Sequence, residues 1–345
     1  MGAGTLTLSL AVAWIMLGAV GATAGEYHYG STLVCSDCHT MHYSQQHAWG
    51  SGDPPAPPLP TGGPREYLLR NQESELCLGC HDGQTFAPDV RGANTGTHVR
   101  LAGALTTGAA PYEAWKGHSI GVAAIPPGGS VSIKLQCYNC HNPHGSAYYR
   151  NLVNNTAQVT YAKGTNDTTK AVFLRSWTLG NIANNYSVDS VDYNEPDSKK
   201  SAMGQFCRGC HTDFHGAQGD SNMGGSGGTA WLRHPTADAN IGALGGDGEH
   251  SSLNQFASGL RRVKVMSPSG DWGTQGVAWS GAPGNLTPTC TTCHKAHGNQ
   301  NPFGLILLSR FATTVSEEGG YAGGQTADVA TGMRNLCGQC HAQGN

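Results

Sequence analysis

The chain has 345 residues, of which 50 are glycine, 17 proline and 12 cysteine, and only 12% carry a charge. A formal net charge of −3 leaves no basic field of the kind nucleic acid requires. So much glycine and proline excludes a fold of long helices or broad sheets, and it leaves little side-chain material for the apolar core that a chain of this size normally needs.

The first element in chain order is an apolar run from Leu6 to Val20 ending in Ala22-Thr23-Ala24. Small residues after a short apolar stretch are the pattern of an export signal, so residues 1–24 are read as a signal peptide cleaved after Ala24. The run is shorter than the roughly 20 apolar residues of a membrane-spanning helix. Residues 25–345 then form one continuous domain. It opens with EYHYGSTLVCSDCHTMH, which holds His28, Cys35, Cys38, His39 and His42. A Pro/Gly loop follows at 50–64 and cannot be helical. Residues 65–80 are the best candidate for a longer helix and lead into CLGCH, with Cys77, Cys80 and His81.

His98 lies in GTHVRL and His118 in WKGHSIG, ahead of CYNCHNPHG with Cys137, Cys140, His141 and His144. Residues 152–177 alternate enough to predict a short hairpin turning at Gly164–Asp167. CRGCHTDFH carries Cys207, Cys210, His211 and His215, and WLRHPTA carries His234. Glycine-rich stretches at 223–228 and 242–250 read as loops. CTTCHKAHG supplies Cys290, Cys293, His294 and His297, and CGQCH supplies Cys337, Cys340 and His341.

Every cysteine therefore belongs to a C-x-x-C-H motif, and six such motifs consume them all. C-x-x-C-H is the attachment signal of c-type haem. On a helical turn, residues three apart share a face, so both sulfurs can bond the vinyl groups on one porphyrin edge. The histidine that follows aims its imidazole at the iron as the proximal ligand. Zinc does not require a histidine after each second cysteine, a redox dithiol needs one motif, and a disulfide framework gives mixed spacings. Six covalent haems are expected, with His39, His81, His141, His211, His294 and His341 proximal.

Ten further histidines exceed the six distal positions, so every iron can be bis-His. Such iron has no open position for a substrate, and it has a lower potential than His/Met iron. An electron-transfer protein, not an enzyme, is expected. His42, His144, His215 and His297 lie three or four residues after a proximal histidine. From there a ring cannot swing to the opposite face of the same iron and can reach only another haem. His118 and His234, beside Trp, Gly or Pro, are the other favoured distal ligands, followed by His28 and His98. His47 and His250 are read as surface residues. The fold class is accordingly a coil-rich multihaem cytochrome c, with short helices at the haem motifs, a few short strands and a haem stack as its core.

The ordered set YHYGSTLVCSDCHTMH, KGHSI, LQCYNCHNPHG, MGQFCRGCHTDFH, LRHP, CTTCHKAH and LCGQCHAQ resembles the OmcS-type outer-surface hexahaem cytochromes of metal-reducing bacteria. The segments 145–203 and 237–288 match poorly. The resemblance implies a homopolymeric extracellular filament in which parallel-stacked and T-shaped haem pairs alternate. It implies that His42 ligates the iron held by Cys290, Cys293 and His294 of the neighbouring protomer. Its partners would be an outer-membrane electron conduit and external acceptors such as Fe(III) oxides. A monomeric periplasmic shuttle is the alternative function, and a multihaem reductase is a more distant one.

Overall fold

The computed structural model describes residues 28, 33–39, 65–92, 102–106, 114–145, 148–153, 173–174, 191–192, 202–214, 216, 220–221, 223–224, 232–234, 265–266, 287–288, 290–307 and 329–337. The export segment, the 50–64 loop and the 242–250 loop fall outside these residues, as do His42, His47, His98, His215, His250, Cys340 and His341.

Regular structure is sparse and gathers at the cysteine motifs. The helices are α1 (Cys35–Cys38), α2 (Glu73–His81), α3 (Ala202–Arg208), α4 (Cys290–Cys293) and α5 (Val329–Cys337). The third motif is a single 3-10 turn over Cys137–Asn139. The motifs thus come in two alternating forms. The first, third and fifth are isolated turns, while the second, fourth and sixth close a longer helix. Among the described residues no helix is long and apolar enough to cross a membrane.

Local chemistry explains the isolated turns. The Val34 amide donates to Asp37 Oδ2 at 2.7 Å, and the Gln136 amide donates to Asn139 Oδ1 at 2.6 Å. In each case the residue just before the second cysteine caps its own turn. The chain then extends at once, with His39 at φ −113° and ψ 146°. In α2, Glu73 and Glu75 occupy the first turn, where the helix dipole favours negative charge.

One sequence expectation needs correction. The helix expected over 65–80 begins only at Glu73. Glu66–Leu68 is a 3-10 turn in which Tyr67 and Leu68 both have φ near +56°. Leu69 bridges His39, and the Arg70 amide donates to the Cys38 carbonyl at 2.8 Å. This stretch is held extended because it pairs with the first motif. The hairpin expected over 152–177, with its turn at 164–167, lies for the most part outside the described residues. Of its ends, Leu152 bridges His141, and Phe173–Leu174 pairs with Val191–Asp192.

Among the described residues the strands make three two-stranded antiparallel ribbons. Ala123–Ala124 (β1) pairs with Ile133–Lys134 (β2), Phe173–Leu174 (β3) with Val191–Asp192 (β4), and Val265–Met266 (β5) with Thr287–Pro288 (β6). Among the described residues, buried apolar side chains follow the motifs and form no single layer. Leu78, Met203 and Leu336 lie on the longer helices, while Leu152, Val153, Ile306 and Leu307 lie in segments that return to a motif.

Candidate functional site

Four pairs of imidazoles face one another across the described residues. The ring centroids lie 6.2 Å apart for His28 and His81, 6.0 Å for His39 and His144, 6.0 Å for His118 and His211, and 6.1 Å for His141 and His297. The interplanar angles run from 15° to 75°. A nearly constant separation with a freely varying angle is unlike ring stacking. It matches two ligands turning about one axis.

The anchoring of each ring sets which nitrogen faces inward. Nδ1 of His39 donates to the Tyr67 carbonyl at 2.9 Å, His141 to Arg150 at 2.9 Å, His211 to Pro127 at 2.9 Å and His294 to Phe303 at 2.8 Å. His118 donates to Ala296 at 2.7 Å, while His81 to Pro88 and His28 to Pro143 are longer at 3.3 Å. A carbonyl can only accept, so each Nδ1 carries the proton and Nε2 keeps its lone pair. Desolvation by surrounding protein pushes the pKa of His81, His118, His141 and His294 below the ordinary imidazole value. The neutral ring, which is the metal-ligating form, is favoured.

The first, third and fifth motifs share a clamp. After each, a 3-10 turn holds a residue with positive φ: Tyr67, Arg150 and Phe303. Its carbonyl accepts the proximal Nδ1. Two residues later a leucine bridges the same histidine, pairing Leu69 with His39, Leu152 with His141 and Leu305 with His294. One residue further, the amides of Arg70, Val153 and Ile306 donate to the carbonyls of Cys38, Cys140 and Cys293 at 2.8, 2.9 and 2.8 Å. Three copies of one geometry make this an internal structural repeat. Arg70 differs from its equivalents in bringing a buried guanidinium, whose Nε donates to the Ser36 carbonyl at 2.5 Å.

Close backbone contact sets two of the inward-facing histidines beside each other. The His118 amide donates to the His297 carbonyl at 3.0 Å, and Gly117 bridges Gly298. A Cβ on Gly298 would lie 2.5 Å from Gly117 Cα, and φ there is +117°. Only glycine permits this approach. Neighbouring motifs also meet directly. The Cys77 side chain lies beside that of Cys137, and Cys207 beside Cys290. Ser74 of α2 accepts the Cys137 amide at 3.1 Å and donates to Gln136 Oε1 at 2.5 Å.

The residues fit haem. Two ring nitrogens about 2 Å either side of one metal, plus the radius of each ring, place imidazole centroids roughly 6 Å apart. Among the described residues no three His, Cys, Asp or Glu side chains converge as a metal cage would. Two facing imidazoles with a C-x-x-C pair beside one of them could hold an iron porphyrin. Every described cysteine is a free thiol and so open to thioether formation. Of the sequence-expected distal residues, His28, His118, His144 and His297 each stand opposite a motif histidine. His234 is described, but its ring is not brought opposite a described motif histidine. His42, His98 and His215 lie outside the described residues. The sequence reading missed the carbonyl anchors, Arg70 and the Gly117–Gly298 contact. The anchors had a signal in the recurring leucine of EYLL, YRNL and PFGL.

No family profile matches the chain. One curated relative aligns along almost its whole length, 24% identical and covering 98% of both chains: C-type cytochrome OmcS of Geobacter sulfurreducens. The chain resembles OmcS. Two solved structures of OmcS filaments from that organism also align, each 19% identical, with TM-scores of 0.42 and 0.41. The first, of OmcS nanowires, covers 79% of this chain and 83% of its own. The second covers 83% and 84%.

Proposed function

We propose that this chain is an exported six-haem c-type cytochrome that carries electrons outside the cell as a head-to-tail homopolymer. The carrying observation is the set of four facing imidazole pairs at 6.0–6.2 Å. When bound, haem supplies the one-electron redox couple. Cys35, Cys38, Cys77, Cys80, Cys137, Cys140, Cys207, Cys210, Cys290, Cys293, Cys337 and Cys340 hold six such groups. The motif histidines are the proximal ligands. His144, His28, His297 and His118 are the distal ligands opposite His39, His81, His141 and His211. Backbone anchors at Nδ1 fix each ring and raise its basicity, which keeps the potential low. Filling both axial positions excludes substrate from the iron and suits a carrier.

The polymer reading has its own geometric support. His144, after the third motif, faces His39 of the first, and His297, after the fifth, faces His141 of the third. Each step runs from an odd motif to the one two places earlier. His42, after the first motif, then belongs opposite His294 of a neighbouring copy. Electrons would enter from an outer-membrane conduit and leave to an external acceptor such as ferric oxide.

Cryo-electron microscopy of cell-surface filaments tests the reading, together with His42→Ala in the haem-loaded chain. Bis-His density at six irons, with His42 on the neighbour's fifth-motif haem, is the expected result. A protein that stays monomeric, with spectra unchanged by His42→Ala, would point to a soluble shuttle instead.

A further inference from the structure

The helix of an even-numbered motif docks on the odd motif that follows it. Helix α2, which leads into the second motif, packs on the turn of the third, and α3, which leads into the fourth, packs on α4 of the fifth. In the first case the contacts are specific. Glu73 Oε1 accepts the Tyr138 hydroxyl at 3.2 Å, and the buried Ser74 joins the Cys137 amide to the buried Gln136. Cys77 lies beside Cys137. The docking face of α2 is thus Glu73, Ser74 and Cys77, and the face that receives it is Gln136, Cys137 and Tyr138. In the second case Met203 and Gly204 occupy the positions of Glu73 and Ser74. Both are buried, and Cys207 lies beside Cys290.

The same two faces recur at the ends of the motif series, and there they are open. On α5, which leads into the sixth motif, Met333, Arg334 and Cys337 hold the positions of Glu73, Ser74 and Cys77, and all three are exposed. On α1, at the first motif, Val34, Cys35 and Ser36 hold the positions of Gln136, Cys137 and Tyr138, and all three are exposed. Among the described cysteines only Cys35 and Cys337 are classed as exposed. The faces also match in chemistry. Met333 is 40% exposed and Val34 50%, whereas Met203, at the position of Met333 in the docked α3, is 8% exposed.

We propose that the Met333, Arg334 and Cys337 face of one copy docks on Val34, Cys35 and Ser36 of the next, continuing between chains the even-on-odd docking made twice within one. The occupant of each face is a second copy of this chain, and the inference rests on the polymer reading above. The contact joins two different surfaces, so it propagates instead of closing on itself.

The test uses the full haem-loaded chain carrying Val34→Glu or Met333→Glu. Each variant should keep the wild-type haem count by mass and the wild-type absorption spectrum. Each should need a roughly tenfold higher concentration to form filaments in electron microscopy, because assembly would bury a carboxylate against apolar side chains. An equimolar mixture, at a concentration where neither variant assembles, should stop at dimers, since each variant keeps the face the other has lost. If Val34→Glu loads fewer haems, Met333→Glu alone decides the outcome. Variants that assemble like wild type, or a mixture that stays monomeric, would overturn the contact and leave the polymer reading standing. A wild-type chain that remains monomeric would overturn both.

Discussion

His118 Nδ1 donates to the carbonyl of Ala296 at 2.7 Å, so one inward-facing imidazole is anchored on the residue just before another, His297. The two rings face different motif histidines, His211 and His141. Their mutual placement is fixed by main chain and not by side-chain packing. His28 repeats the arrangement through Pro143, the residue just before His144, at 3.3 Å. The chain thereby couples one facing imidazole pair to another, and movement at either ring disturbs both.

Gly298→Ala tests this coupling. The new Cβ would meet Gly117 Cα at 2.5 Å in a backbone region that disfavours side chains. Strain and displacement together should cost at least about 2 kcal/mol. Two centres, those of His141 and His211, should lose ligands together, seen as a high-spin absorption band from two haems. Gly83→Ala is the control. It has φ +86° with nothing within 4 Å of a Cβ, so only the conformational cost of about 1–2 kcal/mol applies. Thermal unfolding and the high-spin fraction check both variants.

His144→Ala should open the iron beside His39 while leaving the haem count unchanged. The expected signature is one five-coordinate haem that binds carbon monoxide, with the others silent. His144→Met should refill the position and raise that haem's potential, because thioether sulfur stabilises the ferrous state more than imidazole does. Spectroelectrochemistry of the two variants distinguishes ligation from a merely structural role for His144.

The haem reading of this site comes from the sequence, because covalent attachment would fix residue type and spacing within five positions. Geometry alone predicts that His144 and His297 face another motif, since a ring three residues past a proximal histidine could not reach round the same iron, and their rings stand opposite His39 and His141. Which other centre they face was not legible. That depends on how turns far apart in sequence dock, as when Gly117 meets Gly298. The 65–80 stretch failed as a helix for a related reason. Its residues favour helix locally, but Leu69 and Arg70 pair with the first motif, and long-range backbone bonds override local propensity there. Hydrophobic patterning had little to report, because the buried apolar residues are scattered among the motifs.

Arg70→Leu should lower the potential of the haem held by Cys35 and Cys38. The guanidinium is buried against the Ser36 carbonyl, and its equivalents in the other two clamps are Val153 and Ile306. A buried positive charge disfavours the ferric state, whose net charge is one unit higher. The apolar residues at the equivalent positions show that the clamp itself does not require the charge. Folding should survive, and only one potential should move. A titration in which every haem potential shifts alike would place the effect in the fold and not in the charge.

Phe303 separates the role of the clamp's backbone from that of its side chain. Its carbonyl accepts His294 Nδ1 at 2.8 Å, and its φ of +57° is unfavourable for any residue but glycine. Phe303→Gly should preserve the carbonyl's position and relieve strain, while losing an edge contact with Trp115 worth about 1 kcal/mol. Stability should change by no more than about 1 kcal/mol, and the haem's potential should hold. Phe303→Pro fixes φ near −65° and must turn the carbonyl away. Without that acceptor the imidazole becomes a weaker donor, so the potential of the fifth-motif haem should rise and its low-spin electron paramagnetic resonance signal should shift. If proline and glycine behave alike, the carbonyl does not orient the ligand.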